Sequence, residues 1–343
     1  MSRRTKDIEN FQKIDKYLMI SHSQEQVIDQ LRLWGLLKQH HEMLCEECNQ
    51  QMRWEVDIVG QIDAGRYRCY GCKKSISLRK GSIFFGSQMS LPFLFRVMFH
   101  HFIYQSSIEY LHSSFGLDYK TVGRIYAYIR MVISTSIEES YEQQLGEEHI
   151  LEYSLDRLRL DRLSPEEVDD HTKYSPAVEI DETLLTHFKN IDGKTQSQCW
   201  AIGIYDRGTK RHIIKAVGKN RDEAIIRDLV IRYVANDPLY PTRVYTDHFR
   251  SYNFLANEGY EHIKINHSKG YGRAANTTNH IESLWSELKS MNLFDSGFNT
   301  NDIDLVQIRI NEAVWRMTRK ENDLAVDLAE ILGSVNTPLQ QNY

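Results

Sequence analysis

Residues 243–252 read RVYTDHFRSY, and residues 178–185 read VEIDETLL. Each begins as a short apolar run of the kind that predicts a strand, and each run meets an aspartate, Asp247 in the first and Asp181 in the second. A carboxylate at the end of a buried strand costs free energy unless something positive meets it. Two such aspartates ask for one explanation and direct the search to a third carboxylate. Glu282, in NHIESLWSELK (279–289), lies 35 positions after Asp247 in a predicted helix.

Working outward from these anchors, the pattern alternates between strand and helix. Strands are expected at 177–183, 198–206, 211–217, 243–246 and 261–266, and helices at 221–235, 249–257 and 278–291. That succession is the element order of a ribonuclease H-like fold, a mixed sheet flanked by helices. It puts Asp181 on the first strand, Asp247 at the end of the fourth and Glu282 on the last helix. The central strands of such a sheet bring the two aspartates side by side, and the helix lays its glutamate over them. Clustered carboxylates repel unless divalent cations neutralise them. Two Mg²⁺ ions held by Asp181, Asp247 and Glu282 would activate a water or a 3′-hydroxyl and stabilise the leaving oxygen of a phosphodiester. Lys289 lies two helical turns beyond Glu282 on the same face, where it can reach a phosphate. Asn279 and Trp285 lie on or near that face, the tryptophan reading first as core packing. His248, His267 and His280 flank the site as hydrogen-bonding or DNA-contacting neighbours rather than as metal ligands.

Four of the five cysteines make a second constellation. Cys45 and Cys48, then Cys69 and Cys72, form two C-x2-C pairs with twenty residues between them. This spacing suits a closed tetrahedral Zn²⁺ site that holds together a ribbon too small for its own core. RWEVDIV (53–59) and GRYRC (65–69) read as its strands, with Asn49 and Gly71 where the knuckle turns need a residue tolerant of positive φ. Residues 64–80 carry six Lys/Arg, two tyrosines and no acid. Arg66, Arg68, Lys73, Lys74, Arg79 and Lys80 are therefore candidate DNA contacts, although such charges also simply keep a small domain soluble. Cys199 stands alone in an apolar strand and reads as core.

After the cysteines, 90–105 is a strongly apolar helix, and 106–134 reads as helix, turn at Phe115-Gly116-Leu117, and helix from Tyr119. A helix-turn-helix would offer Lys120 and Arg124 to a major groove, and a plain core helix pair would have the same pattern.

The net charge of −5 excludes a uniformly basic coat but hides an asymmetry. Residues 1–130 hold 18 Lys/Arg against 13 Asp/Glu, and 131–175 hold 4 against 12. No run of 18 apolar residues suggests a membrane span, and the N-terminus lacks the apolar region of a secretory signal. An intracellular, reducing setting is the expectation, which favours zinc over disulfides. The expected division is an N-terminal helical segment (1–40), a DNA-binding ribbon (41–88), a helix-turn-helix domain (89–137) and an acidic linker or insert (138–175). A ribonuclease H-like catalytic domain (176–300) and a C-terminal helical tail (301–343) complete it.

The ordered set of the four-cysteine ribbon, RKGSIFFGSQMSL (79–91), VEIDET (178–183), YTDHFRSY (245–252), INHS (265–268) and NHIESLWSELK (279–289) resembles the Merlin-type DNA transposases. These are similar to bacterial insertion-sequence transposases with an N-terminal zinc ribbon and an ISXO2-like transposase domain. The resemblance implies a DDE transposase that binds the terminal inverted repeats of its element, cuts there with Mg²⁺ or Mn²⁺ and joins the 3′ ends to target DNA. Asp181, Asp247 and Glu282 match the metal-binding positions and Lys289 the basic position after the glutamate. Double-stranded DNA is the implied partner, with at least a homodimer on paired ends. The implied location is the nucleus in a eukaryote, where SRRTK (2–6) is a weak import signal, or the cytoplasm or nucleoid in a bacterium. Rival readings are a transposase-derived DNA-binding protein without transposition, another ribonuclease H-like nuclease, and a zinc-ribbon transcription factor. All three carboxylates are present, which disfavours the first, and the third leaves the carboxylate-bearing domain unexplained.

Overall fold

A computed structural model describes residues 20–56, 62–102, 105–148, 150, 176–189, 195–238, 240–265, 277–291, 302–319 and 324–334. The chain divides into two compact units. Residues up to Ile133, with those from Arg319 on, make the first, and Ser134–Thr318 make the second. No helix among the described residues is long and apolar enough to cross a membrane.

In the first unit, α1 (Gln24–Leu33) starts where the Ser23 side chain accepts the Gln26 amide at 3.3 Å, and it buries Val27 and Leu31. A three-stranded antiparallel sheet follows: β1 (Arg53–Val56), β2 (Gly65–Arg68) and β3 (Ser75–Ile76). The third strand has no apolar alternation and escaped the sequence reading. Helix α2 (Leu91–Phe102) precedes α3 (Ile108–Phe115) and α4 (Tyr119–Ser140). Helix α3 ends because Gly116 takes the left-handed conformation at φ +65°, and the Asp118 carboxylate accepts the Thr121 amide at 2.8 Å to start α4. The expected turn and second helix are therefore in place.

The second unit is built on one mixed sheet. Strands β4 (Ala177–Lys189), β5 (Thr195–Asp206) and β6 (His212–Gly218) run antiparallel in a meander. Beyond α5 (Glu223–Tyr233), β7 (Arg243–Thr246) and β8 (Glu261–Lys264) add in parallel on the other side of β4. The order β6-β5-β4-β7-β8 makes β4 the central strand. Val178 and Ile180 on one face and Glu179 on the other are all fully buried, as a strand covered on both sides requires. A one-residue slip would exchange the two faces, so the ladder with β7 is pinned. Two helices follow, α6 (Asn279–Ser290) and α7 (Ile303–Thr318).

Two boundaries differ from the sequence reading. Residues 249–257 form a short 3₁₀ helix (Arg250–Tyr252) and a run of turns rather than an α-helix, since Tyr252, Phe254 and Leu255 bury without a repeating face. Helix α7 belongs with the sheet and not with a separate tail. Its Gln307 side chain accepts the Ala216 amide at 2.8 Å and donates to the Ile214 carbonyl at 3.0 Å, supplying partners to the edge strand β6. The last described helix, α8 (Leu324–Ser334), falls in the first unit. Most of the acidic stretch, 151–175, lies outside the described residues.

Candidate active site

The parallel ladder of β4 and β7 pairs Ala177 with Arg243, Val178 with Val244 and Glu179 with Tyr245. Carried on by two residues, it sets Asp181 level with Asp247, which leaves β7 just after Thr246. The Asp247 carboxylate accepts the Phe249 amide at 2.8 Å, holding the turn that follows. Glu282 sits exposed in the first turn of α6, and its carboxylate accepts the Thr278 hydroxyl at 3.3 Å. The three acids act on one another. Burial raises the Asp181 carboxyl above its usual range, the Trp285 indole and the Glu182 amide oppose this, and the charges of Asp247 and Glu282 raise it further. The structure thus brings together the three carboxylates singled out in the sequence.

Helix α6 is drawn onto the sheet at this point. Trp285 is buried, and its Nε1–H donates to Asp181 Oδ2 at 3.0 Å, so it orients the carboxylate as well as packing. The indole lies over Gly203, which pairs with Asp181 across β4 and β5. A Cβ at Gly203 would stand 2.6 Å from the ring. Glycine is needed there for close approach, with no requirement on φ. Lys289 is exposed in the last turn of α6, on the face of Glu282.

Two further acids went unread, although VEIDE carries both. Burial, with the charges of Asp181 and Asp247, pushes the Glu182 carboxyl up to about 7, while Tyr252 and Arg221 oppose the shift. Its buried Oε1 has no hydrogen-bond partner of ordinary geometry, and the hydroxyl of the fully buried Tyr252 acts on the same carboxyl. The Arg221 guanidinium is stacked 3.9 Å from the Trp200 ring centre and 4.9 Å from that of Phe249. Glu179 is fully buried and accepts from Arg207 and from the start of α6. His280 is committed to Glu179 and stacks on Tyr205 at 5.3 Å, and His248 adjoins Asp247. His267 lies outside the described residues.

Hard oxygen donors that repel one another are the kind of set that suits a divalent cation such as Mg²⁺. The set is nonetheless open. Among the described residues, only the four cysteines bring three or more ligand atoms within 4.8 Å of one another.

Those cysteines converge from two knuckles, Cys45 Sγ to Cys72 Sγ at 3.2 Å and Cys48 Sγ to Cys69 Sγ at 3.4 Å. The amide of Cys72 is the main influence drawing the Cys69 thiol down to about 6, and that of Cys48 lowers Cys45, while the contacts with Cys69 and Cys45 raise Cys48, to about 12, and Cys72. Thiolates are what zinc requires. The left-handed residue follows the second cysteine of each pair: Asn49 at φ +54° and Lys73 at φ +63°. Gly71 has no positive φ. A Cβ there would meet Gln50 Oε1 at 2.3 Å, the far end of an exposed side chain that can swing aside.

Of the basic residues, Arg66 and Arg68 share Glu55 at 3.4 and 3.9 Å, Lys74 pairs with Glu47 at 3.5 Å and Lys80 with Glu46 at 2.6 Å. Such partly exposed pairs hold little free energy and exchange readily for phosphate. Lys73 lies over the Tyr70 ring, and Lys120 and Arg124 are exposed one turn apart on α4. Arg79 is different. It is buried and bidentate on Asp63 at 2.6 and 2.8 Å with a third bond to the Ser87 carbonyl, so it is an internal strut and not a surface contact.

Comparison with known proteins bears on the same region. Residues 175–318 match the ISXO2-like transposase domain. All three carboxylates and both halves of the sheet lie inside that match. An uncharacterized transposase-like protein of Haemophilus influenzae is 32% identical over 78 residues, 23% of this chain and 61% of that protein. The chain therefore spans about three-fifths of that relative's length. A solved structure of the HTLV-2 integrase catalytic core domain in complex with magnesium overlaps 42% of this chain and 84% of its own, at 13% identity. Its TM-score of 0.25 is too low to bear on the fold.

Proposed function

We propose that the chain is a DNA transposase of the insertion-sequence type with a ribonuclease H-like catalytic unit, and of the Merlin type within it. The observation that carries this reading is the convergence of Asp181, Asp247 and Glu282 from a central strand, its parallel neighbour and a helix, inside residues that match a transposase domain. When bound there, two Mg²⁺ or Mn²⁺ ions supply activation of a water or 3′-hydroxyl and stabilisation of the leaving oxygen. The three carboxylates hold the ions, Trp285 fixes the rotamer of Asp181, and Lys289 meets a phosphate of the strand on the exposed face of α6. The four cysteines hold Zn²⁺, and Arg66, Arg68, Lys73, Lys74, Lys80, Lys120 and Arg124 grip terminal inverted repeats. A homodimer or larger assembly pairs two ends, in the nucleus of a eukaryote or the nucleoid of a bacterium.

The test uses a DNA fragment spanning the gene's own flanks, purified protein and Mn²⁺ or Mg²⁺, with new 3′ ends mapped. Metal-dependent cuts at the borders of an inverted repeat, lost in Asp247→Asn while binding persists, are expected. Equal cutting by that variant removes Asp247 from the mechanism. Specific binding at the borders without cutting under either metal points to a DNA-binding descendant.

A further inference from the structure

Glu179 lies two residues before Asp181 on the central strand, and no water reaches it. A buried carboxylate is tolerated only when its oxygens are saturated with donors. Here each oxygen takes two. Oε2 accepts the backbone amides of His280 at 3.1 Å and Ile281 at 3.0 Å, and Oε1 accepts Arg207 Nε at 2.8 Å and His280 Nδ1 at 2.7 Å. Because a carboxylate only accepts, His280 presents Nδ1–H to it. The two amides are donors at the start of α6 that no turn of the helix can satisfy, and the positive end of the helix dipole faces the same carboxylate. Arg207, at the end of β5, also donates to the Thr277 carbonyl and lies 3.6 Å from the Tyr245 ring centre on β7. One side chain of β4 thus ties the first residues of α6 to β5 and, through Arg207, to β7.

We propose that Glu179 is the positioning residue of the carboxylate site: it seats the N-terminus of α6 so that Glu282, one residue beyond the clamped amides, stands over Asp181 and Asp247. The inference rests on the reading of these three acids as a divalent-metal site. The helix needs this seat because Glu282 itself is repelled by the two aspartates it must approach. The second tether, Trp285 to Asp181, lies one turn further along α6, so the two together set both the height and the rotation of the helix. Glu179 touches neither metal nor DNA in this arrangement, and its effect passes through Glu282.

The experiment is a Mn²⁺ titration by calorimetry on the full, zinc-loaded chain, with wild type, Glu179→Gln, Glu282→Gln and the double variant, each also melted. Glu179→Gln is expected to weaken Mn²⁺ binding by roughly tenfold or more, as loss of an outer partner does. In the Glu282→Gln background the same change is expected to shift binding by less than about twofold, because there is no Glu282 left to place. Equal weakening in both backgrounds, or unchanged Mn²⁺ affinity with only a lowered melting temperature, makes Glu179 a structural residue and overturns the proposal. If Glu179→Gln does not fold, His280→Ala, which removes one donor at a half-exposed position, enters the same cycle with a smaller loss of the same pattern expected. Its having no effect on Mn²⁺ affinity likewise overturns the proposal. If Glu282→Gln binds Mn²⁺ as wild type does, the metal-site reading itself fails and the positioning role falls with it. A defect in Glu282→Gln but not in the clamp variants sinks the clamp alone.

Discussion

The cysteine cluster and the carboxylate cluster are both groups of ionisable side chains brought to a point, and they are built by opposite means. Each pair of cysteines is positioned by its own knuckle, a turn closed within five residues by a left-handed residue at Asn49 or Lys73. The sulfurs stand in contact, and backbone amides draw two of them towards the thiolate. Asp181 and Glu282, by contrast, are 101 positions apart, and only a sheet and a docked helix bring them near. Their charges oppose the approach, so the assembly spends packing on it: a glycine opposite Asp181, an indole over that glycine, and a buried glutamate at the helix start. A site made by local turns survives changes elsewhere, whereas one made by docking is sensitive to residues that never touch a ligand.

The largest expected effect tests the local site. Cys69→Ser should abolish stoichiometric zinc and unfold the ribbon, since structural zinc supplies on the order of 10–16 kcal/mol to such domains. Metal analysis of the purified variant checks this, and zinc retained one to one refutes the assignment. Next in size, Arg79→Met leaves the Asp63 carboxylate buried and unpaired and should lower the stability of the ribbon by about 3–5 kcal/mol. Replacing exposed Lys120 or Arg124 should leave the melt unchanged and reduce the salt slope of DNA binding by about one per residue. A DNA defect in a fully folded Arg79→Met would restore it as a contact.

Gly203→Ala tests the docked site without altering any carboxylate. The added methyl meets the Trp285 ring, so a loss of about 1–3 kcal/mol and a displaced α6 are expected, with weakened Mn²⁺ binding. Unchanged binding would show that the carboxylates do not depend on this seat.

The smallest effect concerns pH. His262 on β8 bonds Thr246, the residue before Asp247, at 2.8 Å. Burial, with the charges of Lys264 and His248, lowers it to about 4. A histidine depressed in the folded state contributes fully above its unfolded value near 6.5. That contribution is lost as pH falls from there to about 4, because the unfolded chain takes up the proton first. Melting curves between pH 7 and 4 should fall less steeply for His262→Gln, and parallel curves would remove His262 from the acid response.

Much was legible in the sequence where a single stretch holds the whole cause. The spacing that brings the four cysteines together, the Gly116 turn and the end of β7 at Asp247 are of this kind. The readings that failed needed a neighbour from elsewhere. Arg79 looks like any surface arginine until Asp63 closes on it, the positive φ expected at Gly71 falls on Lys73 instead, and 249–257 loses its helix because its aromatics bury irregularly. Glu179 is the clearest case: beside Asp181 in VEIDE it resembles a solvated charge, and nothing local shows that it is buried. The sequence by itself determined which residue types are available for metal and roughly where each strand and helix runs, because spacing and hydrophobic period are local properties. Only the tertiary structure decided which charges are neighbours and which are struts, because burial and electrostatic coupling depend on what packs against a side chain from distant parts of the chain.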